Sequence, residues 1–581
     1  MNNSRGANSH STDGPDICLT GGTVLNVYSG ELLKTNVAIK GERFDHVGTL
    51  PVPQEKDTQI VDVKGKALVP GYIEPHCHPW FLYNPVTLAQ EACTLGTTTF
   101  VCDNLVFFSL MGVDLFEAFM DRLADFPVKF FWFCRSNPQT PMKDEKELFS
   151  VENVERLLMH PAAASLGEIT RWQDLLSGDP DILELIDIAK SLGKRVDGHT
   201  AGAKHEKIQA LARCGIESCH ESINALEVME RLRAGLWVML RQSSLRQDLN
   251  GLLKAVTEGG ALTDRMMLTT DSSSPAFYRE NGITDHLLKT AFKQGIDPVS
   301  AYRMVTINPA LYFGMERDIG GIAPGRYADI LVLDDLLDPV PEMVFSKGLL
   351  VAKEGRLSGD WPHPNWKKFL PGSSFIKKRW RAKRDYFEIR SKQKEVSFPV
   401  IRLISAVITR MEQVLFPVKH GLIDLEDRAG FSFISLIDRD GKWVSNGILK
   451  GFADDIEALA STFNTANQIL VIGGNLQSMT DAVNRLIELG GGTVALDNGR
   501  VAYEWPLPLG GMMSHVPMRE LSKRENEFKA FLSKKGYPFH DPFYTLVFLP
   551  NDFLPEVRIN YAGVFDIINR KTLWDRRDLS H

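Results

Sequence analysis

Ala67-Leu68-Val69-Pro70-Gly71-Tyr72-Ile73-Glu74-Pro75-His76-Cys77-His78 is an apolar run that ends in two histidines. Residues two apart on a strand face the same way, so His76 and His78 can reach one metal ion from a strand tip. Taken alone, a His-x-His is a weak motif and reads equally as a pair of surface histidines. Residues further along the chain decide between the two. Four acidic or imidazole residues each close a further strand-like run: Glu168 after Ala163 to Gly167, His199 after Lys194 to Gly198, His220 after Gly215 to Cys219, and Asp271 after Met266 to Thr270. From Ala67 to about Gly320 such runs alternate with helical periodicity, as in Val128 to Cys134, then Val151 to Leu158, then Ala163 to Ile169. Repeated β then α predicts a parallel sheet, and residues 67–320 suit one (β/α)8 barrel of TIM type. In a barrel the C-terminal strand tips converge, so His76, His78, Glu168, His199, His220 and Asp271 would meet on one face. Imidazoles and carboxylates are ligands that Zn, Mn and Fe accept, and this set is enough for two ions with a bridging carboxylate.

The chain has 581 residues and a net charge of -7. That length predicts more than one domain. The charge gives no electrostatic case for nucleic acid or an anionic membrane as partner. Seven cysteines, an odd number scattered through a long chain, make no disulfide framework and point to a reducing compartment, the cytoplasm. Residues 1–15 are polar, without the apolar core of a signal peptide, and read as a disordered start. No window approaches the roughly 20 apolar residues of a membrane span, so a soluble protein is expected.

Short β-type runs in 16–66 (Cys18 to Leu25, Val37 to Lys40, Gln59 to Val63) and a turn-rich stretch from Gly320 to Asp334 predict a composite β-sandwich formed by 16–66 and 321–360 around the barrel. Residues 361–396 are basic and aromatic, with Trp361, Trp366, Lys377, Lys378, Arg379, Trp380 and Arg381. They read as a linker helix whose aromatics pack on a neighbouring domain, the alternative being a phosphate or nucleic-acid patch. Residues 397–581 form a second α+β unit, with helices expected at Asp454 to Phe463 and Met479 to Leu489 and strands at Gln468 to Ile472 and Thr493 to Leu496.

Several stretches carry a family likeness: Leu166-Gly167-Glu168, Asp197-Gly198-His199-Thr200-Ala201-Gly202, Gly215 to Ser222, and Asn308-Pro309-Ala310-Leu311-Tyr312-Phe313-Gly314. Asp481-Ala482-Val483-Asn484, Gly490-Gly491-Gly492, Pro506 to Ser514 and Pro542 to Leu546 extend it through the C-terminal half. The chain resembles the adenine deaminases of the amidohydrolase superfamily along nearly its whole length, and residues 397–581 look like the extra domain those enzymes carry. The resemblance implies a metal-dependent hydrolytic deaminase of purine salvage, converting adenine to hypoxanthine and ammonia by attack of metal-bound hydroxide on the amine-bearing ring carbon. It implies that Asp271 both ligates and accepts a proton, and that Glu221 protonates a ring nitrogen, the alternative for Glu221 being a partner that orients His220. Arg241 and Ser244 align with a family stretch near the substrate and are candidates to bind its polar edges, the alternative being solvent-facing residues. The expected cofactor is a divalent metal, two ions of Mn or Fe, with Zn left open by the ligand types. The expected partners are a purine or related heterocycle and further copies of the chain, with neither nucleic acid nor membrane.

The chain also departs from the pattern. Pro79-Trp80-Phe81 stands where polar residues follow the His-x-His, making Trp80 an aromatic candidate for the substrate wall. Asp103-Asn104 replaces a His-Glu pair, Ser272 an aspartate, Gln242 a glutamate, and Asn464-Thr465-Ala466-Asn467 an Asp-Ser-His-Asn stretch. These changes predict altered pairing with the ring. They leave open an amidohydrolase acting on another purine, heterocycle or cyclic amide, and a non-catalytic ligand-binding protein on the same scaffold.

Overall fold

The structure, a computed structural model, describes residues 14–49, 57–370, 375–376, 379–425 and 428–579. The expected disordered start therefore lies, but for its last two residues, outside the described residues, as do Lys377 and Lys378.

Eight parallel strands form the barrel: β1 Tyr72–Cys77, β2 Thr97–Asp103, β3 Lys129–Cys134, β4 Ala163–Ile169, β5 Arg195–Gly198, β6 Ser218–Cys219, β7 Trp237–Arg241 and β8 Met266–Thr269. They are hydrogen-bonded in chain order from β1 to β8. Helices fill the outside, and their starts follow ordinary capping chemistry. Asn84 accepts from the N–H groups of Val86 and Thr87 at 2.9 and 3.1 Å, just ahead of the helix Pro85–Thr94. Strands buried on both faces explain the continuous apolar runs, for which a period of two is absent. The seam between β8 and β1 is closed by side chains. Thr269 donates to Glu74 at 2.6 Å and to the carbonyl of His76 at 2.8 Å, while Thr270 donates to Glu74 through its hydroxyl at 2.8 Å.

The opening run is divided between two sheets. Ala67–Pro70 pairs antiparallel with Ile330–Leu333, Val69 opposite Leu331, and belongs to a sheet with Ile17–Leu25, Leu32–Lys40, Arg43–Gly48 and Gln59–Asp62. Gly71 makes the switch into β1. A Cβ there would overlap the Thr98 hydroxyl and press on Asp329, so only glycine lets the strands approach. The flanking sheet curls over its own apolar core, bringing Arg43 against Tyr327. A buried ion pair, Lys129 Nζ to Asp329 Oδ1 at 2.6 Å with both side chains 6% exposed, ties the base of β3 to it.

The C-terminal part is built on a third sheet running from Leu422–Ile423 through Glu395–Leu403 to Arg500–Pro506, with the helix Leu476–Leu489 packed against it. The helix expected at Asp454 to Phe463 is instead the strand Ala458–Ser461, paired on both sides by Ile469–Gly473 and Gly492–Asp497. Its apolar spacing imitates a helix, but all four residues are buried in mid-sheet and small enough to fit there, so pairing overrides propensity. The basic segment is likewise not a helix. Among its described residues it has only the four-residue helix Trp366–Phe369, a 3-10 turn at Arg384–Phe387 and the start of the strand Glu395–Leu403, and it is held by buried aromatics such as Trp380, whose indole N–H donates to the Arg439 carbonyl at 3.0 Å. Among the described residues no helix is long and apolar enough to cross a membrane.

Replacing Lys129 by Met leaves Asp329 as an unpaired buried carboxylate. The expected loss is about 3–5 kcal/mol of stability, read as a lowered urea midpoint, and an unchanged midpoint rejects the ion pair as a structural tie.

Candidate metal centre

Each predicted ligand stands at the C-terminal end of a barrel strand: His76 on β1 and His78 one residue past it, Glu168 on β4, His199 after β5, His220 after β6, and Asp271 after β8. Asp271 at φ 46° and Ser272 at φ 59° are both left-handed, which turns the chain sharply out of β8. Aspartate tolerates that region better than most residues. The turn brings Asp271 Oδ1 to 3.1 Å from His78 Nε2 and lets the Ser272 hydroxyl accept the His78 N–H at 2.6 Å.

Glu168 is the centre of the group. Its Oε2 lies 2.9 Å from His199 Nδ1, 2.9 Å from His220 Nε2 and 3.9 Å from His76 Nε2. Its Oε1 accepts from the Arg135 guanidinium and from Gln139 Nε2, the latter at 3.1 Å. All six predicted ligands fall into three overlapping sets (His76, His220 and Asp271; His76, His78 and Glu168; Glu168, His199 and His220) whose ligand atoms lie within 4.8 Å of one another.

Two of the imidazoles are oriented from behind. His76 Nδ1 is 3.0 Å from Asp197, and His78 Nδ1 is 2.7 Å from Asp103. A carboxylate in that position fixes the tautomer and leaves Nε2 as a lone pair. His76 Nε2 is buried with no hydrogen-bond partner among the described residues and faces Asp271 Oδ1 at 3.5 Å and Glu168 Oε2 at 3.9 Å. A lone pair held against two carboxylates is repulsive unless a cation stands between them, so these residues fit a divalent metal.

Asp103 also accepts the Trp80 indole N–H at 3.1 Å and two Arg135 N–H groups at 2.9 Å. Trp80 thus braces the carboxylate behind His78 and also lines the cavity. Arg135 and Gln139 were not singled out in the sequence, where Asp103 stood only as a departure from the family pattern and Asp197 only within a stretch of family likeness. The one available signal was position, since Asp103 ends β2, Arg135 follows β3 and Asp197 lies on β5.

Burial by itself would push every carboxyl here up, but Arg135 and His199 hold Glu168 well below its ordinary value, and Arg241 and His78 do the same for Asp271. Burial opposes ionisation of His220, yet Glu168 outweighs it and raises the imidazole to about 10. Glu221 is buried, but Arg241, with His199, His220 and Arg246, takes its carboxyl down to about 2. Arg241 Nη1 donates to Glu221 and, at 2.6 Å, to Asp271, so one guanidinium holds both carboxylates as anions.

The cluster opens into a cavity of about 1130 Å³ lined by barrel residues, Trp80 and Arg241 among them, and by C-terminal residues including Tyr544, Phe548 and Phe553. The Phe553 ring meets His199 edge to face at 5.2 Å. Ser244 is placed elsewhere. Its hydroxyl bonds the Tyr544 hydroxyl at 3.0 Å and the Ser274 N–H at 2.9 Å, which engages it in the contact between barrel and C-terminal part, while the neighbouring Ser243 lines the cavity.

The sequence model of the Amidohydrolase family matches residues 67–359, and that of the adenine deaminase C-terminal domain matches residues 406–571. The chain belongs to the adenine deaminase family. Among its relatives in that family, a Halalkalibacterium halodurans protein named “putative adenine deaminase” is 36% identical over 96% of this chain and 95% of its own. The adenine deaminase of Moorella thermoacetica is 31% identical over 96% of this chain and 95% of its own. A solved β-aspartyl dipeptidase of Fervidobacterium islandicum covers 59% of this chain and 98% of its own, with a TM-score of 0.47 at 18% identity. As a member of the family the chain is a hydrolase of C–N bonds in cyclic amidines.

Asp197→Asn should weaken metal binding about 10- to 100-fold without unfolding the barrel, because the His76 tautomer is no longer fixed. Chelator competition measures it, and unchanged affinity would remove Asp197 from the site.

Proposed function

We propose that the protein deaminates adenine to hypoxanthine and ammonia, with His76, His78, Glu168, His199, His220 and Asp271 holding one or two divalent ions. The observation that carries this reading is the pairing of Glu221 and Asp271 on the single Arg241 guanidinium, beside the histidine cluster. Bound divalent metal would acidify a water and so supply a nucleophile at neutral pH. The residues then have protons to move. Hydrolysis forms a C–O bond at the amine-bearing carbon, breaks the C–N bond, and transfers two protons from water, one to a ring nitrogen and one to the departing amine. Two carboxylates that begin as anions can each take one proton and return it. Asp271, among the ligands, is assigned the proton bound for the amine, and Glu221, beside His220, the one bound for the ring. Glu221 therefore works as a relay that starts ionised, not as an acid held neutral. Arg241 keeps both carboxylates in register, and Trp80 and Phe553 enclose a planar ring.

The cavity, at about 1130 Å³, exceeds what a bare base fills. This supports a second reading, in which another purine or fused heterocycle is deaminated by the same groups.

Metal analysis combined with ammonia release from adenine tests both readings. Glu168→Gln should lower metal content and turnover together. Glu221→Gln should keep its metal and lose about 10²- to 10⁴-fold in kcat. Metal-loaded protein that releases no ammonia from adenine but does so from a related heterocycle moves the assignment to the second reading.

A further inference from the structure

Two buried acceptors on residues of the cavity wall have no hydrogen-bond partner among the described residues. Gln139 is 3% exposed, and its Nε2 donates to Glu168 Oε1 at 3.1 Å. A carboxylate only accepts, so the amide must turn its NH2 toward Glu168 and its carbonyl away. That carbonyl, Oε1, has no hydrogen-bond partner. Asp552, from the C-terminal part, repeats the pattern. Its Oδ2 accepts from Arg171 Nη2 at 2.6 Å and Nε at 3.0 Å, while its buried Oδ1 has no partner. The two residues are fastened together, since the Asp552 N–H donates to the Gln139 carbonyl at 3.0 Å and the adjacent Thr140 hydroxyl bonds that of Thr465 at 2.8 Å. Both line the cavity.

Buried polar atoms are nearly always paired, and one left dry forfeits its hydration. The same cavity wall holds the opposite polarity on Arg241, 3% exposed, whose Nε and Nη2 have no partner among the described residues because Nη1 alone serves Glu221 and Asp271. Unpaired donors on Arg241 and unpaired acceptors on Gln139 and Asp552 thus belong to residues that line one cavity. A heterocycle with both ring acceptors and N–H donors matches this distribution.

We propose that Gln139 and Asp552 form a specificity subsite that accepts hydrogen bonds from N–H groups of the bound heterocycle, while the free edge of Arg241 donates to its ring acceptors. The proposal deepens the reading of the site as a purine deaminase and rests on it. It makes the C-terminal part a component of the substrate site, because one acceptor belongs to Asp552. It also selects purines that keep an imidazole N–H. Methylation at either N7 or N9 removes that donor and leaves an acceptor dry, the situation in which polar sites discriminate most strongly.

Calorimetric titration of the metal-loaded protein with adenine, 7-methyladenine and 9-methyladenine, run beside ammonia release, tests it. The wild type should prefer adenine over both methylated bases by roughly 100-fold or more. Asp552→Asn must give its carbonyl to Arg171 and present NH2 to the cavity, which turns an acceptor into a donor and should collapse the preference. Gln139→Met removes the other acceptor and should reduce the preference independently, so the proposal remains open to refutation if one variant does not fold. A merely structural role would weaken all three ligands alike. Equal binding of the three by the wild type, an undiminished preference in the folded variants, or no purine binding overturns the subsite. Selective binding of adenine without ammonia release leaves the subsite standing and overturns the deaminase reading instead.

Discussion

The two oxygens of Glu168 divide the site between them. Oε1 is held by Arg135 and Gln139, and that grip leaves Oε2 facing His76, His199 and His220. Histidines from three other strands thereby address one oxygen, which leaves it placed to ligate a metal. Arg135 does more than hold Glu168. The same guanidinium neutralises Asp103, which orients His78 and receives the Trp80 indole. Carboxylates so deeply shielded are costly unless matched, and Asp103, Asp197, Glu168, Glu221 and Asp271 outnumber the buried guanidiniums Arg135 and Arg241. A divalent cation held at the point where the lone pairs converge would balance that surplus.

The metal cluster and the Arg241 carboxylate pair are carried by strand tips, rigid elements that hold groups to within fractions of an ångström. The cavity above them is completed by the C-terminal part, through Phe553 against His199 and Asp552 against Gln139. Further ion pairs, Arg171 to Asp552 and Arg570 to Asp174, link the same surfaces. A substrate wall assembled across two units can change while the cluster stays constant, which fits a chain that keeps the predicted ligands and alters residues such as Trp80 and Ser272.

The legible part of the sequence was the part with a period. Barrel strands appear as apolar runs, and ligands appear as polar residues that close them, so His199, His220 and Asp271 could be placed from the order of residues alone. Asp454 to Phe463 shows the limit. Its spacing satisfies a helix, and only its two strand partners reveal the sheet. Arg135 shows another, for an arginine after a strand carries no mark of what it neutralises. Ser244 lies only three residues beyond Arg241, yet its hydroxyl is taken by Tyr544, a residue 300 positions away.

By itself, then, the sequence determined the barrel, the order of its strands and the identity of the residues able to bind metal, because alternating burial and strand-end position are local properties written in every repeat. Only the tertiary structure decided which imidazole nitrogen is bare, which oxygen of Glu168 points inward, that Glu221 is an anion, and that Gln139 and Asp552 hold acceptors without donors. Those properties depend on distances between groups far apart in the chain, and charge and hydrogen bonding in a buried site are set by such distances.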